Sequence, residues 1–192
     1  KALRLTDFPV PDITTESGRR LLLSHVDGDA FPSKAELPGT PFSAEVLQRE
    51  ILQRYRIPHT VSIVEAEISP QGLFPQLSSK LENIARSIFK MPNVEIASHS
   101  YPHPFYWVPE SQKTSVSKEV NLNLNIPGYT MNIDREINGS MDYIRKNLAP
   151  PGKPVEVMLW SGDTAPGEDA LAIIDAGGLL NMNGGDTYLT RA

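Results

Sequence analysis

Five short apolar runs recur along this chain, and most of them are separated by a segment with helical spacing. That alternation limits the fold more than any other feature, because strand, helix and strand in turn build parallel pairs. The first run spans about Arg20 to Val26, and its Leu21-Leu22-Leu23 core fits a strand covered on both faces. Thr60 to Ala66 alternates and is β-branched, as a second strand should be. Val94–Ser98, Val155–Trp160 and Leu179–Met182 are the remaining three.

The intervening segments read as helices. Ser43 caps one over Ala44 to Tyr55, with Ala44, Leu47, Ile51 and Tyr55 on its apolar face. Leu77, Leu81, Ile84, Ala85, Ile88 and Phe89 mark a second. Ile133, Ile137, Met141, Ile144 and Leu148 mark a third, closed by Pro150-Pro151-Gly152. Glu168 to Ala176 forms a fourth, short one with Gly177 as its cap. The expectation is an α/β fold, a parallel sheet or a (β/α) barrel, over residues 20–192. Residues 1–19 form an extended lead-in, since Pro9 and Pro11 push their predecessors out of helical geometry. Residues 105–131 carry little pattern beyond the aromatic cluster Phe105-Tyr106-Trp107.

Composition narrows the function. A chain of 192 residues with 40% hydrophobic and 21% charged residues has enough material for one real core. A net charge of -5 disfavours a nucleic-acid partner. The absence of cysteine rules out a disulfide framework and thiolate chemistry. No run is long enough for membrane insertion as a helix. Lys1 in place of an initiator Met makes a processed or partial chain the expectation.

Four of the five strands end in polar loops, and parallel α/β sheets place their chemistry at those ends. The first ends in Asp27-Gly28-Asp29, with Gly28 giving the backbone room to turn. Two acids so close need a cation or a shared proton between them. The third ends in His99-Ser100-Tyr101-Pro102-His103. Pro102 and Pro104 oppose a long helix there, but a turn can still aim both rings at one centre. Two imidazoles, one carboxylate and an open position make a hydrolytic zinc site, and cobalt, nickel, manganese or iron also suit such a mixed set. Either pair alone is a weak signal: His-x-x-x-His is usually accidental and Asp-x-Asp is often a solvated turn. Both together at strand ends in one domain outweigh that reading. His25 reads as support, while His59 reads as structural. Trp107 fits loop packing better than sugar stacking; Trp160 stands beside the polar Ser161-Gly162-Asp163 and is more evenly balanced.

In these motifs the chain resembles the polysaccharide deacetylases of carbohydrate esterase family 4. The resemblance is nearest to the deacetylase domain of PelA-like proteins, which modify the Pel biofilm polysaccharide. It rests on Ser24-His25-Val26-Asp27-Gly28-Asp29, His99–Trp107, Leu159–Asp163 and Leu180–Thr187 occurring in order. It implies a distorted, incomplete (β/α) barrel of the NodB homology type, truncated at the C-terminus. It also implies Asp27 as general base, with Asp29, His99 and His103 holding a divalent metal, zinc first. His25, Tyr101, Trp107, Trp160, Asp163, Asn183 and Asp186 would bind substrate or support the site. The substrate would be an N-acetylhexosamine exopolysaccharide, the compartment the periplasm, and a further contact an exopolysaccharide secretion complex. Two family features have no counterpart. The arginine of its third motif is missing from Trp160–Asp163, and no late Leu-x-His is visible.

Three rivals share parts of the pattern. An Asp-x-Asp phosphatase of the haloacid dehalogenase type uses its first Asp as nucleophile with magnesium, but has no use for His99 and His103. A non-catalytic polysaccharide-binding domain would keep the fold without hydrolysis. A two-carboxylate glycosidase needs acids set much further apart than Asp27 and Asp29.

Overall fold

The computed structural model describes residues 24–107 and 124–183. Its strands are β1 (His25–Val26), β2 (His59–Ile63), β3 (Val94–Ser98), β4 (Val155–Leu159) and β5 (Leu180–Met182). They form one sheet in the order β1-β2-β3-β4-β5, and every neighbouring pair is parallel. Sequential parallel strands joined by right-handed crossovers put their helices on one face. The sheet curls around its other face as a half-barrel, which agrees with a distorted (β/α) barrel at the level of architecture.

The helices are α1 (Ser43–Val46), α2 (Glu65–Ile68), α3 (Ser78–Phe89), α4 (Ser140–Asn147) and α5 (Glu168–Ala176). The helix-side core gathers Val61, Ile63, Ile96 and Met158 from the strands, with Trp160 just after β4. It adds Leu81, Ile88 and Phe89 from α3, Met141 and Ile144 from α4, and Ile174 from α5. The concave face carries a smaller cluster of Ala97, Val157 and Leu159, with Met182 packed on it. A register shift between β3 and β4 at Ile96/Ala97 lets Val155 join the outer cluster while Val157 joins the inner one.

β3 and α5 have the bounds read from the sequence, and α3 buries the apolar positions expected of it from Leu81 onward. Three expectations need correction. Helix Ala44–Tyr55 is instead α1 followed by a π-helical segment, Leu47–Leu52. The wider i to i+5 turn puts Leu52 under Leu47, so Leu52 is fully buried while Ile51 and Tyr55 face solvent. Ser43 is not its cap; the Glu45 carboxylate accepts the Phe42 N–H at 2.8 Å and the Ser43 hydroxyl donates to the Ser33 carbonyl. The second strand stops at Ile63, because the Glu65 and Ala66 N–H groups donate to the Ser100 and Tyr101 carbonyls and start α2. At the end of α5, Gly177 is the C-terminal cap as expected, with a helical φ of -82°, and the left-handed turn follows at Gly178, at +60°. The lead-in 1–19, most of the first strand and Asp186 lie outside the described residues.

Candidate metal centre at the strand carboxyl ends

Asp27 and Asp29 follow β1, and His99 follows β3 two strands away. What joins them is Gly28. A side-chain carbon there would stand 2.9 Å from His99 Cβ and 2.9 Å from both Cα and C of Ile63. Gly28 has no positive φ, so its value is close approach rather than the freedom to turn expected of it. With the turn seated against β2 and His99, one acid falls on each side of the buried glycine.

His99 is 1% exposed. Its Nδ1 lies 2.9 Å from the Leu159 carbonyl, which can only accept, so Nδ1 carries the proton. Nε2 then points a lone pair at two acids, 2.8 Å from Asp27 Oδ1 and 3.5 Å from Asp29 Oδ1. Despite the short distance, Nε2 has no hydrogen-bond partner and is fully buried. Either a proton or a cation must stand between a lone pair and two carboxylates. Burial alone would push the His99 pKa down, but Asp27 and Asp29 outweigh it and hold the imidazole at about 9. Burial likewise works against ionisation of Asp29, and the contacts with His103 and His99 overcome it, leaving its pKa well below the usual range. Asp27 shifts down in the same way, through His99 and the Asp29 N–H that its Oδ1 accepts at 3.1 Å.

His103 Nε2 completes the group, 3.0 Å from Asp29 Oδ1. The two imidazole centroids lie 5.1 Å apart. No helix brings them together. Ser100 and His103 instead take left-handed backbone conformations, at φ 71° and 57°. Such residues cost of order 1–2 kcal/mol each and persist only where surrounding structure enforces them. One ligand atom from each of Asp29, His99 and His103 lies within 4.8 Å of the others. The orphaned His99 Nε2 and this mixed nitrogen and oxygen donor set fit a divalent cation, with the Leu159 carbonyl fixing the ligand's tautomer.

No family model, curated protein or solved structure matches this chain.

The other sequence candidates surround the centre in different ways. Trp107 and Trp160 are buried, pack edge to face at 4.7 Å, and bond through their Nε1 atoms to the Ser161 carbonyl and Asn181. They brace the site and present no face to a sugar. Gly162, at φ +64°, packs against the Phe105 backbone, where any side chain would clash at 2.3 Å. Asp163 donates its N–H to the Phe105 carbonyl, and Ser161 donates its hydroxyl to the Pro104 carbonyl. Asn183 donates to the Trp160 carbonyl. The loop after β4 thus holds the segment that follows His103. Tyr101 is buried, with Tyr129 edge-on at 5.1 Å and the Arg135 guanidinium 3.9 Å over its ring. His25 is exposed on β1, and His59 is structural as expected, bonded to Ser24 and the Tyr55 carbonyl.

Sequence reasoning missed the polar layer beneath the His99–His103 turn. Arg135 makes a two-pronged bond to Glu65, at 2.8 and 2.6 Å. Glu136, fully buried, accepts the Tyr101 N–H at 2.9 Å and the Tyr129 hydroxyl. A signal for part of it was present: Glu65-Ala66-Glu67 follows β2 with the same acid-x-acid spacing that marked Asp27 and Asp29.

Proposed function

We propose that this protein is a metal-dependent polysaccharide N-deacetylase acting on an N-acetylhexosamine polymer. One observation carries the reading. The buried, unpartnered Nε2 of His99 converges with His103 and Asp29, and a second acid, Asp27, stands beside them half-exposed. Asp29, His99 and His103 would hold the cation, zinc or a similar divalent metal. When bound, such a cation lowers the pKa of a coordinated water and polarises a carbonyl. Asp27 supplies the base. Its pKa lies below the ordinary range, so it is ionised at neutral pH. Its Oδ1 accepts the Asp29 N–H and lies 2.8 Å from His99 Nε2, which would leave Oδ2 to take the proton from the attacking water. The acetamide carbon–nitrogen bond then breaks, acetate departs and the sugar keeps a free amine. The resemblance extends the proposal to a Pel-like exopolysaccharide, a periplasmic setting and contact with a secretion complex.

The test is acetate release from an N-acetylated hexosamine polymer. The protein is used metal-stripped, then with Zn²⁺ or Co²⁺ restored, and as the Asp29→Ala and His103→Ala variants. Metal-dependent release that both substitutions abolish is the expected result. Metal bound without release would leave a polysaccharide-binding domain, and no stoichiometric metal would overturn the centre itself.

A further inference from the structure

His99 and His103 can meet at one point only if the backbone between them turns sharply, and Ser100 supplies a left-handed φ of 71° there. Its own hydroxyl does not hold it in place, because Ser100 Oγ is buried without a hydrogen-bond partner. Two other serines close on its backbone instead. Ala97 belongs to the concave cluster, so strand alternation sends the next side chain, Ser98, to the helix side. There Ser98 Oγ lies 2.6 Å from Oγ of Ser140, the first residue of α4. Ser140 Oγ is 3.1 Å from the Ser100 carbonyl oxygen, and Ser98 Oγ is 3.1 Å from the Ser100 nitrogen. All three serines are fully buried.

These contacts admit one set of proton positions. The Ser100 carbonyl can only accept, so the Ser140 hydroxyl donates to it. Ser140 has no second proton, so the Ser98 hydroxyl donates to Ser140. Ser98 Oγ in turn accepts the Ser100 N–H. The three bonds close a ring, and in a buried ring each bond polarises the next. The Ser100 N–H belongs to the peptide shared with His99, and its carbonyl to the peptide shared with Tyr101. Fixing both peptide planes fixes φ and ψ of Ser100, and a left-handed serine persists only where its surroundings enforce it. One turn before Ser140, Glu136 accepts the Tyr101 N–H at 2.9 Å, so the second of those peptides is held at both ends. We propose that Ser98 and Ser140 are positioning residues, which aim His99 and His103 at a common cation by locking the backbone of Ser100. This rests on the metal-centre reading above and gives neither serine a contact with the cation.

The experiment compares Ser98→Ala, Ser140→Ala and the double variant with the unaltered full chain. Ile88→Val, which opens a small void in the helix-side core, controls for lost stability alone. Zn²⁺ affinity is measured by competition with a chromophoric chelator, and the visible absorption of bound Co²⁺ reports ligand geometry. Thermal unfolding is followed alongside. Each single substitution should lower Zn²⁺ affinity by about 10-fold, in the range found for groups that orient ligands, and alter the Co²⁺ bands. The double variant should also lose only about 10-fold, because either substitution already opens the ring. Ile88→Val should unfold earlier and leave both metal readouts unchanged. Serine variants that unfold earlier but keep the affinity and the Co²⁺ spectrum would overturn the proposal. So would a loss of about 100-fold in the double variant, the product expected of two residues acting independently. If the unaltered chain binds neither metal, the metal reading falls. Amide hydrogen exchange at Ser100 then decides the ring alone: fast exchange in the unaltered chain, or slow exchange that survives Ser98→Ala, refutes it.

Discussion

Replacing Gly28 by alanine tests the geometry of the centre most directly. The added carbon would meet three atoms at 2.9 Å, whereas ordinary contact begins near 3.4 Å, so something must give by about 0.5 Å. Two of the three atoms belong to the backbone of Ile63, which is fully buried and paired with Ser98 of β3. The strand is the stiffer side, so the Asp27–Asp29 turn moves. Overpacking of this kind costs about 1–3 kcal/mol of stability. The effect on the cation is separate. Ligand distances in a working metal site hold to roughly 0.2 Å, and the predicted shift exceeds that at Asp29. Zn²⁺ affinity should fall by about 10- to 100-fold, the range seen when ligand placement is disturbed. Gly39→Ala is the control. Gly39 has φ +84° with nothing within 4 Å, so alanine there strains the backbone by about 1–2 kcal/mol but touches no site residue. Thermal unfolding and Zn²⁺ titration on both variants give the answer. The reasoning is refuted if Gly28→Ala binds Zn²⁺ as tightly as the unaltered chain, or if Gly39→Ala loses as much affinity.

Proton and cation should compete for His99. With its pKa at about 9 in the cation-free protein, binding below that pH expels one proton, and affinity rises about tenfold per pH unit before levelling. Calorimetric titration in two buffers of different ionisation enthalpy reads the proton directly. The same raised pKa stabilises the cation-free fold fully below pH 6.5, and that stability is lost as pH climbs through 9, visible as a falling unfolding temperature. Arg135→Leu leaves Glu65 buried and unpaired, and should cost about 3 kcal/mol or more by denaturant unfolding. Glu136 has its pKa pushed up to about 7, chiefly by burial. Between pH 4.5 and 7 the folded chain keeps a proton that the unfolded chain has released, so stability falls with rising pH there. Glu136→Gln should flatten that slope in unfolding curves taken across the window.

The sheet was legible because its signals are local. Val94–Ser98 and Val155–Leu159 are short apolar runs, and α3 repeats its apolar residues at helical spacing over three turns. The Leu47–Leu52 segment was not, because a π-helical turn replaces the period that a pattern search assumes. The sequence named Asp27, Asp29, His99 and His103 from residue type and position at strand ends, and the fold gathers those four. It could not separate Trp107 and Trp160 as substrate surface from Trp107 and Trp160 as packing. Their burial depends on the loop after β4 meeting Phe105, a contact between residues more than fifty apart in the chain. The Glu65–Arg135 and Glu136–Tyr101 bonds were hidden for the same reason. Charged residues in amphipathic segments read as solvated faces, and only the fold turns them inward.

The burial of the four site residues also gives the centre a direction. His99 is buried and His103 partly buried, 1% and 14% exposed, whereas Asp27 and Asp29 stay about half-exposed at 49% and 54%. The imidazoles therefore form the floor and the carboxylates the solvent side. Under the proposed function, Asp27 on the solvent side is where a base would stand to take a proton from attacking water. The reverse arrangement, with buried acids and exposed imidazoles, would raise the carboxylate pKa values and leave no ionised base at neutral pH. The polar layer of Glu65, Arg135 and Glu136 lies under the histidine turn and holds it from behind. Nothing in that layer blocks the carboxylate side. Under the proposed function, half-exposed carboxylates above the imidazoles would suit a group presented from a long chain, since the rest of a polymer could stay in solvent while one acetamide enters.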